Sequence, residues 1–392
     1  MRVGVDAASW ANRRGFGRFT RNAVGRLVET DTGATYVFYL DEESADTVAL
    51  PDGVEVRRVR LGRAPQAAAS AGSSRSIADL VRMTRAVRRD RLDAFLFPSL
   101  HTYFPVVGTP TVVGVHDTIV EELPALTVPS RRARLAAVLK HRMAVRRAAG
   151  LFTVSEASRR AVAARFGIAP ARLRVVPEAP DPVFSPRTGA ALEAGLAAAG
   201  LTPGDRYLLY AGGISPHKNV ETLVDAYARL HDASADPGGS LLVLVGDLAG
   251  EAYLSSARSV RERIEHHGLE DVVRLPGYVA DETLACLYSG ATAFVMPSLA
   301  EGFGLTAVAA AACGAAIALS DLPPHRETLG DAALFFAPTD VDALAGILER
   351  IVADDALRSD LGARSSAAVA HLSWDAAAAE LRSLISDVAR IA

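Results

Sequence analysis

The chain of 392 residues is poor in the side chains that staple small or secreted scaffolds: it has two cysteines, Cys286 and Cys313, and two tryptophans. Two distant thiols provide no disulfide framework and, without neighbouring ligand-type residues, no metal cluster, so a reducing cytoplasm is the expected setting. Long hydrophobic runs are missing as well. No uncharged apolar stretch reaches the length of about 18 residues that a membrane-crossing helix needs, and the opening MRVGVDAASW has no signal-peptide apolar segment. Gly (31) and Pro (20) are close to ordinary usage, and charged residues make up 22% of a chain that is half hydrophobic. Collagen-like, low-complexity and disordered classes are thereby excluded, and the length fits about two or three globular domains.

The formal net charge of −3 conceals an asymmetry. Up to residue 183 there are 28 Lys and Arg against 18 Asp and Glu; beyond it there are 14 against 27. Much of the basic excess falls in two helix-like stretches, Arg82 to Arg91 and Arg131 to Arg147. One reading is two solvated helix faces and an attraction between oppositely charged halves. The other is an anionic partner for the first half: an acidic lipid surface, a phosphate-bearing acceptor or a nucleotide. No aromatic-studded basic stripe or nucleic-acid reading motif accompanies the charge, so no nucleic-acid partner is expected.

Short β-branched runs alternate with longer Ala/Leu/Arg-rich helical patterns throughout, the signature of parallel βαβ units. The first half predicts strands near Arg2–Asp6, Tyr36–Tyr39, Val54–Val59, Ala94–Phe97, Thr111–Val115, Gly150–Val154 and Arg174–Val176. Helices are expected near Arg18–Glu29, Ser76–Arg89, Arg131–Ala149 and Glu156–Phe166. The segment Glu178–Gly189, with three prolines, reads as an interdomain linker. A second strand series follows at Tyr207–Ala211, Leu241–Gly246, Val272–Leu275, Ala293–Met296, Ala315–Ala318 and Leu334–Phe336, each strand followed by a helix. The expected architecture is α/β, with two Rossmann-like doubly wound domains facing a central cleft. In open α/β folds ligands bind at the carboxyl ends of the strands.

Four strand-end segments carry residues suited to chemistry there. In Asn12-Arg13-Arg14-Gly15-Phe16-Gly17-Arg18, Gly15 and Gly17 would let backbone amides approach a phosphate at a helix start, although an ordinary glycine turn has the same sequence. Val115-His116-Asp117 ends a strand in two polar groups; a structural histidine is the plain alternative to a functional one. In Tyr210-Ala211-Gly212-Gly213-Ile214-Ser215-Pro216-His217-Lys218-Asn219, the glycines permit close backbone approach and Lys218 adds a point charge suited to a diphosphate. In Met296-Pro297-Ser298-Leu299-Ala300-Glu301-Gly302-Phe303-Gly304-Leu305-Thr306, a carboxylate interrupts an apolar stretch. The Gly-Phe-Gly turn after it delivers the free amides of a new helix, and those amides and the helix dipole favour an anion.

These blocks, together with Thr153-Val154-Ser155-Glu156, Pro276-Gly277-Tyr278-Val279 and Ser320-Asp321-Leu322-Pro323 followed by Glu327, resemble the GT-B glycosyltransferases, specifically the large retaining family four. The resemblance covers essentially the whole chain. It implies an acceptor-side domain over 1–183, to which a terminal helix near Trp374–Ile391 (373–392) returns, and a donor-binding domain over 184–372. It implies a nucleotide diphosphate sugar as donor, with a hexose passed to a lipid, saccharide or small natural-product acceptor. Lys218 would neutralise the diphosphate, and the backbone around Gly304, Leu305 and Thr306 would bind its oxygens. Glu301, Gly302 and Phe303 would hold the sugar, which His116 would face from the other domain. Gly15, Gly17 and Gly213 would line the phosphate side, and Tyr278 and Val279 would sit near the base. His116, Glu301 and Lys218 form the implied catalytic set, with no metal and no cofactor. The implied location is cytoplasmic, with peripheral contact to an anionic membrane through the basic first domain.

The sequence departs from the family pattern at three positions. Ala309 stands where the family has a second glutamate, contacting the ribose hydroxyls, and a methyl group cannot accept those hydrogen bonds. Thr306 replaces a first-turn proline, a position that accepts either. Gly212 replaces an arginine found shortly before the lysine in many members. Ala309 leaves open a second class, a non-catalytic GT-B regulatory or scaffold protein with a degenerate donor pocket. It also leaves open a donor with less need of ribose contacts, such as a thymidine nucleotide.

Overall fold

The computed structural model describes residues 1–12, 15–62, 76–128, 130–232, 239–246 and 255–391. Two compact units divide the chain: unit 1 is Met1–Glu178 with Ser373–Ala392, and unit 2 is Ala179–Leu372.

Unit 1 is built on seven strands: β1 (Arg2–Asp6), β2 (Thr35–Asp41), β3 (Glu55–Val59), β4 (Ala94–Phe97), β5 (Thr111–Gly114), β6 (Gly150–Thr153) and β7 (Leu173–Val175). They pair in parallel in the order β3-β2-β1-β4-β5-β6-β7. A parallel strand covered by helices on both faces reads as an unbroken apolar run. Ala-Phe-Leu-Phe of β4 and Thr-Val-Val-Gly of β5 are such runs, buried at every position. Helix Ile77–Arg89 begins where Ser76 accepts a hydrogen bond from the Asp79 amide at 3.1 Å. The first helical run differs from expectation. It opens at Gly15 rather than near Arg18, passes through a π-helical turn at Thr20–Val24 and continues over Gly25–Thr30. A Cβ on Gly17 would lie 1.9 Å from the Asn12 carbonyl oxygen, so close packing of the helix on its own entry loop requires glycine there. Arg13 and Arg14 of that loop lie outside the described residues. Three short helices, Glu42–Thr47, Ile119–Glu122 and Pro124–Thr127, escaped the sequence reading because none is long enough to display a period.

The terminal helix Trp374–Ile391 belongs to unit 1. Trp374 packs edge-on against Phe19 with ring centroids 6.2 Å apart, and Phe19 also meets Phe152 of β6. Arg26 reaches Asp375 at 2.6 Å and Arg174 reaches Asp387 at 2.9 Å, so charge pairs flank an apolar stripe that includes the fully buried Leu381 and Ile385.

Unit 2 has six strands: β8 (Tyr207–Ala211), β9 (Leu241–Val245), β10 (Val273–Gly277), β11 (Ala293–Met296), β12 (Ile317–Ser320) and β13 (Leu334–Phe336). Their order is β10-β9-β8-β11-β12-β13, again parallel. Two strands are displaced from the predicted places. β12 starts at Ile317, not Ala315, because Ala315 still closes the preceding helix: its amide donates to Ala310 at 3.1 Å, and Gly314 takes the left-handed conformation that ends a helix. β10 runs to Gly277, since its pairing with β9 resumes there after an irregularity following Arg274. The proline-rich Glu178–Gly189 segment begins at the boundary between the two units and is packed within unit 2. Phe184 is buried against Tyr288 at 5.7 Å, and the Arg187 amide donates to Ser289 Oγ at 2.9 Å.

Truncating Leu381 to alanine removes apolar contact at a site with no exposure, which costs about 2–5 kcal/mol in a core that relaxes only partly. Calorimetric unfolding of the Leu381→Ala variant should show a lower midpoint for unit 1, and an unshifted midpoint would mean that the terminal helix does not support this unit.

Candidate functional site

In unit 2 the strand order reverses between β8 and β11, so the loops leaving these neighbouring strands diverge at their carboxyl ends. The two loops are tied to each other by hydrogen bonds. The Leu299 amide donates to the His217 carbonyl at 2.8 Å. Asn219, in the left-handed conformation with φ 56°, donates its side-chain amide to the carbonyls of Pro297 at 3.0 Å and Pro338 at 2.7 Å. Its side-chain oxygen accepts from Thr222 at 2.9 Å, which joins the loop to the helix Val220–Asp232.

This frame brings Lys218 and Glu301 together although 83 residues separate them: Nζ donates to Oε1 at 2.5 Å. Fully buried Ser298 donates its hydroxyl to the same oxygen at 2.6 Å. Burial pushes the Glu301 carboxyl up. The Lys218 ammonium, the nearby His325 and the two hydrogen bonds outweigh that push and hold it below the usual carboxylate range. The carboxylate is therefore charged at neutral pH with only 9% of its side chain exposed, and Lys218, at 21%, is the more accessible partner.

Three residues further on, Gly304 takes φ +91° and opens the helix Leu305–Ala312 without a side-chain cap. The first amides of a helix have no partner within it, so those of Leu305 and Thr306 stand at a positive dipole end. Gly302 and Phe303 are buried, and Phe303 anchors the turn in the core. Gly213 has open space where a side chain would stand, and its carbonyl is fixed by the Tyr210 hydroxyl at 2.7 Å. Val279 is half-buried beyond the end of β10, next to the 56% exposed Tyr278. Ala309 is buried within the helix. The structure thus gathers Lys218, Glu301 and Gly304 to Thr306 at one strand-end locus. Tyr210, Asn219 and Ser298, which stand in the quoted segments without a role of their own, also build it, as does His325, which sequence reasoning did not name.

In unit 1, His116 follows β5 and is nearly enclosed, its ring edge against Phe19 at 4.7 Å. Nε2 lies 2.8 Å from the Pro98 carbonyl oxygen and Nδ1 lies 3.6 Å from Glu178. Burial alone would lower its pKa, but the Glu178 carboxylate, together with the Pro98 carbonyl and Asp117, offsets this and raises it. Both ring nitrogens are thus engaged inside unit 1. Gly15 has no atom near its missing side chain, whereas Gly17 is demanded by packing. No group of three His, Cys, Asp or Glu side chains among the described residues could hold a metal ion.

Two family models match the chain: Glycosyltransferase Family 4 over residues 14–183 and Glycosyl transferases group 1 over residues 197–367. O-antigen chain mannosyltransferase B of Escherichia coli is 33% identical over 174 residues, 43% of this chain and 42% of that protein. MMP alpha-(1->4)-mannosyltransferase of Mycolicibacterium hassiacum is 28% identical over 295 residues, 70% of this chain and 64% of that protein. The chain thus aligns with less than half the length of the first of these relatives. Among solved structures, a sucrose-phosphate synthase from Thermosynechococcus elongatus is similar with a TM-score of 0.79 at 20% identity, covering 100% of both chains. Anabaena Alr3699/HepE, solved with UDP and glucose, has a TM-score of 0.74 at 18% identity, covering 98% of this chain and 99% of that one. With its two parallel-sheet units and returning terminal helix, the chain belongs to the GT-B-fold glycosyltransferases that these two models describe.

A carboxyl whose folded pKa is depressed contributes stability that is present above its unfolded value, about 4.3 for Glu, and lost as pH falls through the folded value. The unfolding midpoint of the wild type should therefore drop more steeply than that of Glu301→Gln as pH falls from about 5 to 3. Equal slopes would show that Glu301 is not held in its charged form by its neighbours.

Proposed function

We propose that the protein is a retaining hexosyltransferase that takes a hexose from a nucleoside diphosphate sugar bound on unit 2 and passes it to an acceptor held by unit 1. The observation that carries this reading is the Lys218–Glu301 pair in the loops beside the open helix start at Gly304. Cleavage of the sugar–phosphate bond builds positive charge on the ring and negative charge on the departing diphosphate. Donors already aimed at the latter lower the barrier without reorganising. Lys218 and the amides of Leu305 and Thr306 supply that counter-charge. Glu301 accepts from sugar hydroxyls and, with Gly302 and Phe303, shapes the sugar end. No side chain is assigned as a nucleophile, and attack occurs on the face that the diphosphate leaves. Gly213 keeps the backbone open on the phosphate side, and Val279 borders the base. His116 stays a unit 1 residue, its ring nitrogens against Pro98 and Glu178. Support also comes from the mannosyltransferase names of the two relatives and from the UDP-glucose held by the Anabaena protein.

The acceptor class follows from surface character. Helix Arg131–Arg147 carries Arg132, Leu135, Leu139, Arg142 and Arg146 at helical spacing on one face, and the two leucines are 62% and 58% exposed. An exposed apolar and cationic face suits the inner surface of an anionic membrane, and hence a lipid-linked or envelope saccharide acceptor presented in the cytoplasm. No helix among the described residues is long and apolar enough to cross a membrane. A second reading, a non-catalytic GT-B protein, is favoured by one observation, the buried methyl of Ala309 where the family carries a ribose-binding glutamate.

Thermal unfolding against uridine, guanosine, thymidine and adenosine diphosphates tests the proposal, because a ligand that binds only the folded state raises the midpoint. One of the four should raise it. Lys218→Ala should abolish the rise, and both Lys218→Ala and Glu301→Ala should lower transfer by about 100-fold or more. No rise with any nucleotide would favour the non-catalytic reading. Binding to anionic vesicles should weaken steeply with salt and be lost in a Leu135→Ser, Leu139→Ser variant; salt-resistant binding would contradict the electrostatic part.

A further inference from the structure

His325 is a buried imidazole to which the roles above assign no task. It sits in the short helix Pro323–Leu329 just after β12, with 1% of its surface exposed. Nδ1 lies 2.8 Å from the Ser320 carbonyl oxygen. A carbonyl only accepts, so Nδ1 carries the proton of the neutral ring and Nε2 presents a lone pair. Nε2 is buried and has no hydrogen-bond partner among the described residues. Four groups act electrostatically on the ring: the Glu301 and Asp321 carboxylates, the Ser320 carbonyl and the Lys218 ammonium. Burial outweighs the three that favour a proton, leaving the imidazole below its ordinary pKa and neutral at pH 7.

The ring edge bearing Nε2 faces Gly304. A Cβ at that position would stand 3.1 Å from Cδ2, 3.3 Å from Nε2 and 3.5 Å from the Met296 methyl, so glycine keeps a side chain from pressing on the lone pair. The same turn is flanked by the Glu301 carboxylate, whose Oε1 already accepts from Lys218 and Ser298. Two acceptors thus border one glycine turn at the start of a helix. A diphosphate oxygen carries no proton to donate to them at neutral pH, whereas a sugar offers several hydroxyl donors on one rigid ring.

We infer that His325 is a specificity-determining residue of the donor site, its Nε2 accepting a hydrogen bond from a hydroxyl of the transferred sugar. The inference rests on the donor-site reading of the preceding section. It separates the work of the locus: the helix amides and Lys218 hold the diphosphate, while Glu301 and His325 read the sugar. A site built to pair a buried polar group rejects a ligand that leaves the group unpaired.

Titration calorimetry with UDP against UDP-glucose, and GDP against GDP-mannose, tests this on wild type, His325→Phe and His325→Gln. The readout is the affinity gained by adding the sugar to its own diphosphate. His325→Phe should leave diphosphate affinity within about twofold and cut the sugar gain by roughly 10- to 100-fold, and His325→Gln, which restores an acceptor oxygen, should recover part of it. An unchanged sugar gain in the phenylalanine variant overturns the inference and points to a water as the partner of Nε2. Equal weakening of diphosphate and sugar nucleotide overturns it in favour of a structural role. Should His325→Phe not fold, the sugar gain of His325→Gln against wild type decides alone: a loss confined to the sugar supports the inference, and no loss overturns it. If wild type binds neither diphosphate, the donor-site reading itself fails.

Discussion

A carboxylate with one-tenth of its side chain exposed stays charged only beside a cation, and in unit 2 that cation is Lys218. The pair constrains everything around it. It needs β8 and β11 side by side at the reversal of the sheet, because only there do two loops 83 residues apart in sequence meet. It needs Asn219 in the left-handed conformation, tied to Pro297 and Pro338, so that Lys218 reaches across. And it needs Ser298 to share the load on Oε1. The outcome is a fixed acceptor and a partly exposed ammonium beside a helix start, the arrangement on which the proposed donor site rests.

Unit 1 handles its strand-end histidine in a different way. His116 is packed against Phe19, bonded to Pro98 and neighboured by Glu178, so its burial is compensated internally. His325 in unit 2 is compensated at one nitrogen and bare at the other. A satisfied histidine orders the loops around it; a half-satisfied one is where a ligand gains from binding. The contrast rests on hydrogen-bond partners, since both rings are almost fully enclosed.

Much of this was legible without coordinates. Parallel strands buried on both faces are apolar runs, so β4, β8, β11 and β13 could be bounded at the correct residues; β1, bounded by Arg2 and Asp6, and the terminal helix were placed correctly as well. Lys218 and Glu301 stood out because charged side chains interrupt glycine-rich or apolar sequence at strand ends. What was not legible depends on tertiary contact. In Ala-Ala-Ile-Ala-Leu nothing marks where the helix cap ends and β12 begins, and only the Ala315 amide bond decides it. Ser298 and Asn219 stand in the two motif blocks, but nothing in those blocks tells that one donates to Glu301 and the other ties the loops together; the one physical hint was that Asn tolerates the left-handed region. His325 lies in a helix of seven residues, too short for any periodic pattern to reveal that its ring turns inward.

The central claim is that one lysine is shared between an internal carboxylate and the diphosphate of a ligand. Titration of UDP and GDP into wild type, Lys218→Met and Glu301→Gln measures this most directly. Charge-assisted bonds of this kind are worth about 10- to 100-fold in affinity, so Lys218→Met should bind the diphosphate weaker by that factor. Glu301→Gln, which releases the ammonium from its carboxylate, should bind at least as tightly as wild type. Equal weakening in both variants, or no effect of Lys218→Met, would contradict the account.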